Sequence, residues 1–293
     1  MKIAVGFFDG VHLGHRAILD GVDAAVTFKR HPLELLAPER APRLLMSAPD
    51  RIAAIRAAGV REVAALDFTP EFAAMEPERF AEYLRGAPGR FRAAGGVRDD
   101  GTLTLRCGGN WRFGSGGRGD AALLGRLGFN VEVVPFRTVE GERISSTRIR
   151  SAIAAGDIAL ANAMLGRPWT MRGVVFAGKG LGGSLGCPTV NIKTGADGEA
   201  ARLAEPPRGV YAVEAGGVRG VANFGTAPTM GDAAWREPVM EVHFLGPVPS
   251  EAKSGGELTV SILRFLRPEC RFESISALKA QISADCAAAF SAD

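Results

Sequence analysis

The sequence predicts an α/β chain in two parts: a Rossmann-like parallel sheet with helices on its faces, then a small antiparallel Greek-key β-barrel with a C-terminal helix. Three observations carry this prediction. Up to about Gly166, strand-like apolar runs alternate with helical periods, the pattern of a parallel sheet. From Trp169 onward the apolar period changes to two, and short strands follow one another across Gly- and Pro-rich turns without helices between them. Ser274 to Phe290 then reads as one closing helix, with Ser274 placed to cap it.

In the first part, strands are expected at Lys2–Val5, Ala25–Phe28, Glu62–Phe68, Thr102–Arg106 and Val131–Phe136. Helices are expected at Pro49–Ala58, Pro77–Arg85 and Ala121–Leu127, each closed by a glycine (Gly59, Gly86, Gly128). An amphipathic segment, Arg16 to Leu19, lies between the first two strands. Two further helices, Thr147–Ala155 and Ile158–Leu165, are separated by Gly156 and Asp157, a stop followed by a cap. Gly166-Arg167-Pro168 ends helical character, which sets the expected domains at 1–167 and 168–293. In the second part the expected strands are Thr170–Ala177, Thr189–Lys193, Val210–Glu214, Val218–Phe224, Met240–Leu245 and Leu258–Phe265.

At 293 residues the chain is long enough for two cores, and its hydrophobic fraction of 46% is that of a globular protein. A net charge of +3 gives no footing for nucleic acid or membrane binding. Cys107, Cys187, Cys270 and Cys286 lack metal-type spacing and read as reduced thiols. No apolar run reaches the length of a membrane span, and Asp9 follows the start too soon for a signal peptide. Together these predict a cytoplasmic protein with small-molecule substrates, no nucleic acid and no membrane partner. Its oligomeric state is left open.

The richest stretch is Gly6-Phe7-Phe8-Asp9-Gly10-Val11-His12-Leu13-Gly14-His15. It follows the first strand, and ligands of open parallel sheets bind at the carboxyl ends of strands. His12 and His15 share a helical face where free N–H groups and the dipole favour a polyphosphate. In Ile144-Ser145-Ser146-Thr147-Arg148-Ile149-Arg150, hydroxyls precede a helix start. A simple cap by Ser146 or Thr147 is part of this reading. It does not account for Arg148 and Arg150 in a first turn, where the dipole disfavours cations.

These two stretches resemble the G-x-F-D-G-x-H-x-G-H and I-S-S-T-x-I-R motifs of the nucleotidyltransferase superfamily. Within it, the chain from about Ile3 to Asp285 resembles the bacterial bifunctional riboflavin kinase/FAD synthetases. The resemblance implies an FMN adenylyltransferase domain followed by a riboflavin kinase domain. Their activities are phosphorylation of riboflavin to FMN by ATP and adenylylation of FMN to FAD with release of pyrophosphate. It implies catalytic roles for His12, His15 and Arg148, and nucleotide contacts from Gly6, Asp9, Gly10, Gly14, Ser145, Ser146, Thr147 and Arg150. Asn110, Arg112 and Phe113, in Gly109–Gly114, match the segment lining the flavin and adenine site, although an ordinary loop has the same composition. His31 belongs to Thr27-Phe28-Lys29-Arg30-His31-Pro32, which matches the T-F-x-x-H-P loop and is counted with the flavin contacts. The family more often has an acidic residue where Lys29 stands.

One departure stands out. Phe7 stands where the family places a small or polar residue near the triphosphate, so the resemblance implies the loss of a hydrogen-bond donor and a comparatively weak adenylyltransferase.

In the second part, Gly178-Lys179-Gly180-Leu181-Gly182-Gly183 matches G-x-G-x-x-G. The β-branched run from Thr189 follows where a dinucleotide fold needs a helix, so these glycines read instead as a loop over phosphates, with Gly178, Gly180 and Gly183 as nucleotide contacts. Pro188-Thr189-Val190-Asn191 resembles the flavokinase P-T-A-N motif, implying Thr189 and Asn191 as oxygen ligands of Mg²⁺. The same residues also read as a cross-strand polar pair. Glu241 shares a strand face with His243 and stands where the family has its general base. It is expected to face into the barrel, the other reading being a solvated carboxylate on the outer face. Arg267 matches a flavin-side position, or else pairs with Glu269. Two rival functions remain at this point: a kinase whose transferase half has decayed, and a flavin-binding module without turnover.

Overall fold

The computed structural model describes residues 1–86, 103–177, 189–194, 203–225 and 239–291. The chain divides into two compact units, Met1–Ser146 and Thr147–Asp293.

The first unit is a parallel sheet. Its strands are β1 (Lys2–Val5), β2 (Ala24–Phe28), β3 (Glu62–Leu66), β4 (Thr104–Gly108) and β5 (Asn130–Val134), in the order β3-β2-β1-β4-β5. The helices are α1 (Leu13–Leu19), α2 (Leu33–Leu36), α3 (Ala48–Ala57), α4 (Pro70–Ala73), α5 (Pro77–Arg85) and α6 (Ala121–Arg126). β1 is buried on both faces, as a central parallel strand must be. Ile3 and Val5 join Phe80, Leu84, Leu105 and Leu124 in one layer, while Ala4 joins Leu19, Ile55 and Val60 in the other. Truncating a buried Ile such as Ile3 typically costs roughly 2–5 kcal/mol. Ser47 and Asp120 cap α3 and α6 by accepting from Asp50 N and Leu123 N. Of the three glycines expected to close helices, Gly59 and Gly128 follow at positive φ, whereas Gly86 after α5 stays right-handed at φ −76°.

A short hairpin, β6 (Thr138–Val139) with β7 (Glu142–Arg143), completes this unit. It escapes prediction because two residues show no period, and the single turns α2 and α4 escape for the same reason.

The second unit takes α7 (Ser146–Ala154) from its second residue onward, followed by α8 (Ile158–Leu165). As expected, Asp157 caps α8 by accepting from Leu160 N. Asn162 of α8 bonds to the barrel at both ends of its amide, donating to Ile262 O at 2.9 Å and accepting from Trp169 N at 2.7 Å. The barrel itself comprises β8 (Trp169–Phe176), β9 (Thr189–Thr194), β10 (Gly209–Ala215), β11 (Val218–Gly225), β12 (Val239–Phe244) and β13 (Glu257–Pro268). It is closed and antiparallel, in the order β10-β11-β12-β9-β8-β13. β9 lies beside β12 rather than β10, which is a Greek-key connection. Trp169, Ile192, Tyr211, Phe224, Met240, Val242, Val260 and Ile262 are buried on one shared face and fill the interior. Helix α9 (Ile275–Phe290), capped by Ser274 as predicted, sets Ala289 against Ala212, Val221 and Leu266 outside the barrel.

Candidate active sites

In the first unit the loop from Gly6 to His12 leaves β1 between β2 and β4, where the strand order reverses. That switch point is where open parallel sheets bind ligands. The loop makes an unusually tight turn: Phe8, Gly10 and Val11 all have positive φ, at 57°, 81° and 41°. A β-branched residue there is strained, and such strain collects at functional sites. Asp9 is buried, and its carboxylate accepts the N–H of Leu45 at 2.9 Å while its carbonyl accepts the Ser146 hydroxyl at 2.9 Å. Asp9 therefore ties the loop to a neighbouring segment. The Ser146 hydroxyl spends its one proton on that carbonyl.

His12 is the N-cap of α1, its Nδ1 accepting from His15 N at 3.2 Å. The two imidazoles are stacked with centroids 3.6 Å apart. Gly14 permits this, since a Cβ there would lie 3.1 Å from the His12 ring. The His15 Nδ1 is closed off from solvent with no hydrogen-bond partner, and burial, reinforced by His12, holds its pKa well below the ordinary imidazole value. A neutral imidazole is thereby available at neutral pH.

His31 accepts the N–H of Leu33 on Nδ1 at 3.2 Å and meets the Phe7 ring edge-on at 4.7 Å. Thr27 is fully buried and donates to Phe7 O at 3.0 Å, joining the T-F-x-x-H-P stretch to the first motif. Lys29 pairs with Asp67 at 2.8 Å.

The flavin-lining expectation divides. Asn110 and Arg112 are exposed, whereas Phe113 is buried in the core, stacked on Trp111 at 4.8 Å and close to Phe80. An apolar ring beside an aromatic cluster gains more from the core than from solvent. A cavity of about 560 Å³ lies against a different stripe of α1, lined by Leu13, Arg16, Ala17 and Asp20 with Arg137 and Ile144, and it contains neither histidine.

In α7, Thr147 is exposed, Arg148 and Arg150 are half-buried, and Arg150 reaches the Thr147 hydroxyl at 3.2 Å. Ser145 is half-buried just before the helix.

On the barrel, the structure corrects the expected direction of Glu241. Met240, Val242 and Phe244 take the interior, so Glu241 and His243 lie on the outer face. Glu241 is nevertheless half-buried there, and desolvation raises its pKa. In register it stands between Asn191 on β9 and Asn223 on β11, and His243 stands opposite Thr189. Directly opposed antiparallel residues bring their Cβ atoms to about 4.5–5.5 Å. Thr189, Asn191 and Glu241 thus form one polar patch. Asn223, not singled out from the sequence, completes it and donates to Glu269 at 3.2 Å.

Arg267 does not pair with Glu269. Its guanidinium is bidentate on Asp285 of α9, with the closest contact 2.7 Å, and that carboxylate is buried. Gly178, Gly180 and Gly183, with Cys187 and Pro188, lie outside the described residues.

The first unit thus carries a switch-point loop with paired histidines, and the barrel carries a half-buried carboxylate beside hydroxyl and amide oxygens. The FAD synthetase family matches residues 1–148, and the riboflavin kinase family matches residues 165–292. The bifunctional riboflavin kinase/FMN adenylyltransferase of Escherichia coli K12 is 34% identical over 97% of this chain and 90% of its own length. The Bacillus subtilis protein of the same description is 30% identical over 97% and 89%. A solved structure described as a macrolide-efflux protein from Streptococcus pneumoniae superposes with a TM-score of 0.82 at 26% identity, covering 99% of this chain and 93% of that one. The chain belongs to the bifunctional riboflavin kinase/FMN adenylyltransferase family.

Among the described residues no helix is long and apolar enough to cross a membrane.

Proposed function

We propose how this chain's residues divide the two reactions of its family, with residues 1–167 as the adenylyltransferase and 168–293 as the kinase. The chain phosphorylates riboflavin to FMN with ATP and adenylylates FMN to FAD, releasing pyrophosphate.

In the kinase, Glu241 is the general base. It takes the proton of the ribityl 5′-hydroxyl as that oxygen attacks the γ-phosphorus of ATP and ADP departs. The observation that carries this is its half-buried place in the polar patch, where desolvation raises its basicity. Thr189 and Asn191 fit a magnesium ion: both offer hard neutral oxygens, two residues apart on one strand face. When bound, that ion would neutralise charge on the nucleotide phosphates. Gly178, Gly180 and Gly183 belong to the loop assigned to the phosphates, and Arg267 to the flavin side, held there by Asp285.

In the adenylyltransferase, an FMN phosphate oxygen attacks the α-phosphorus of ATP and pyrophosphate leaves. His12 and His15, with Arg148 of the I-S-S-T-x-I-R motif, stabilise the charge that develops. The backbone of Gly6, Gly10 and Gly14, with Ser145, Thr147 and Arg150, contacts the nucleotide, while His31, Asn110 and Arg112 face the flavin. The setting is the cytoplasm.

Purified chain incubated with riboflavin, ATP and Mg²⁺, with the flavins separated by chromatography, tests the assignment. FMN followed by FAD is expected. FMN alone would favour a decayed transferase, and neither product would favour a binding module.

A further inference from the structure

One charged side chain that belongs to neither motif touches the loop after β1. Arg51 lies on the same stripe of α3 as Ile55, and both are fully buried. Burying a guanidinium is costly unless its contacts compensate, so those contacts indicate its role. Its Nη2 donates to Phe28 O at 2.5 Å and lies 3.4 Å from Lys29 O, both at the end of β2. Its Cζ stands 4.0 Å from the centre of the Phe7 ring, within cation–π range. Phe7 in turn meets His31 edge-on and accepts the Thr27 hydroxyl. One buried cation thus grips the end of β2 through carbonyl oxygens and the loop after β1 through an aromatic face.

We propose that Arg51 is a positioning residue for adenylyl transfer. Through Phe7 and the Phe28 carbonyl it sets the separation between the loop leading to His12 and the loop carrying His31. It touches no substrate, and the proposal rests on the reading of this unit as the adenylyltransferase. It also gives Phe7 a purpose that a missing phosphate donor does not: the ring is the surface on which the guanidinium is held. The alternative is a purely structural Arg51, whose loss would lower stability and leave the chemistry of each folded molecule intact.

Adenylylation of supplied FMN by Arg51→Met, Arg51→Lys, Phe7→Leu and the Arg51→Met/Phe7→Leu double variant separates the two, with thermal unfolding of the same preparations reporting that the first unit is folded. Arg51→Met should lower kcat by ~10–100-fold, the scale of a displacement near 1 Å. KM for ATP and FMN should stay within about three-fold, because the loss is one of alignment rather than of ground-state binding. Arg51→Lys keeps the charge over the ring and should recover most of kcat. The double variant should be no worse than Arg51→Met, since both changes break one contact. Unchanged kcat in Arg51→Met, or additive losses in the double variant, would overturn the proposal. Should Arg51→Met fail to fold, Phe7→Leu decides: normal kcat there overturns it, and a lowered kcat in a folded first unit with KM for ATP and FMN within about three-fold supports it. Absence of FAD synthesis by the wild-type chain would overturn the adenylyltransferase reading and this role with it.

Discussion

The rings of His12 and His15 lie 3.6 Å apart with their planes within 15°, and His12 Nδ1 accepts the backbone N–H of His15. That acceptance leaves any proton of a neutral His12 on Nε2. Two stacked imidazolium ions would repel, and burial adds to the cost of charging His15.

His15 is therefore neutral when folded but protonates near pH 6.5 when unfolded. Below that pH the unfolded state binds the additional proton, so this contribution is full above about pH 6.5 and is lost as pH falls through the lowered folded value. The melting temperature should drop more for the wild type than for His15→Gln between about pH 7.5 and about pH 5.5. Equal drops would contradict a depressed His15.

Loss of a charge-stabilising donor should separate the two activities. His15→Ala and Arg148→Ala should each reduce FAD synthesis by ~10²–10³-fold while FMN accumulates. Parallel loss of both products would point to misfolding or a shared site.

Glu241→Gln keeps the shape and removes the base, so FMN formation should fall by ~10²–10⁴-fold while FAD is still made from supplied FMN. Because burial raises the Glu241 pKa, kinase activity should fade on acidification at a higher pH than an ordinary carboxylate would give. A kinase profile flat through the acid range would refute the assignment.

The Arg267–Asp285 pair anchors α9 to the end of β13. Asp285→Asn leaves a largely covered guanidinium without its counter-charge. It should cost about 1.5–3 kcal/mol, the range for hydrogen bonds to charged groups. Denaturant unfolding would measure this, and a change within experimental error would show that the pair is solvated in practice.

Phe7→Asn restores the donor common in the family but removes the ring between Arg51 and His31. FAD synthesis should fall. An increase would favour the weak-transferase expectation drawn from the motif.

Much of this protein was legible in its residues. Pro77–Arg85 and Ile158–Leu165 match prediction at both ends, and the barrel strands shift by only a few residues at either end. Periodicity, caps and helix-ending glycines are local, so a linear chain displays them. The motif residues were equally visible, because chemistry selects residue types at set spacing. Arg51 was missed, although an arginine four residues before Ile55 on an apolar stripe was a usable signal.

The sequence by itself determined the kinds and order of elements, the change from parallel sheet to barrel, and that Glu241 and His243 share a face. Only the tertiary structure decided that this face is the outer one, that Arg267 pairs with Asp285, that Phe113 joins the core, and that Arg51 lies under Phe7. A period of two states which residues lie together but not which side closes over the core. Partners distant along the chain are chosen by strand register and helix docking, and those are settled only when the whole set of surfaces packs at once.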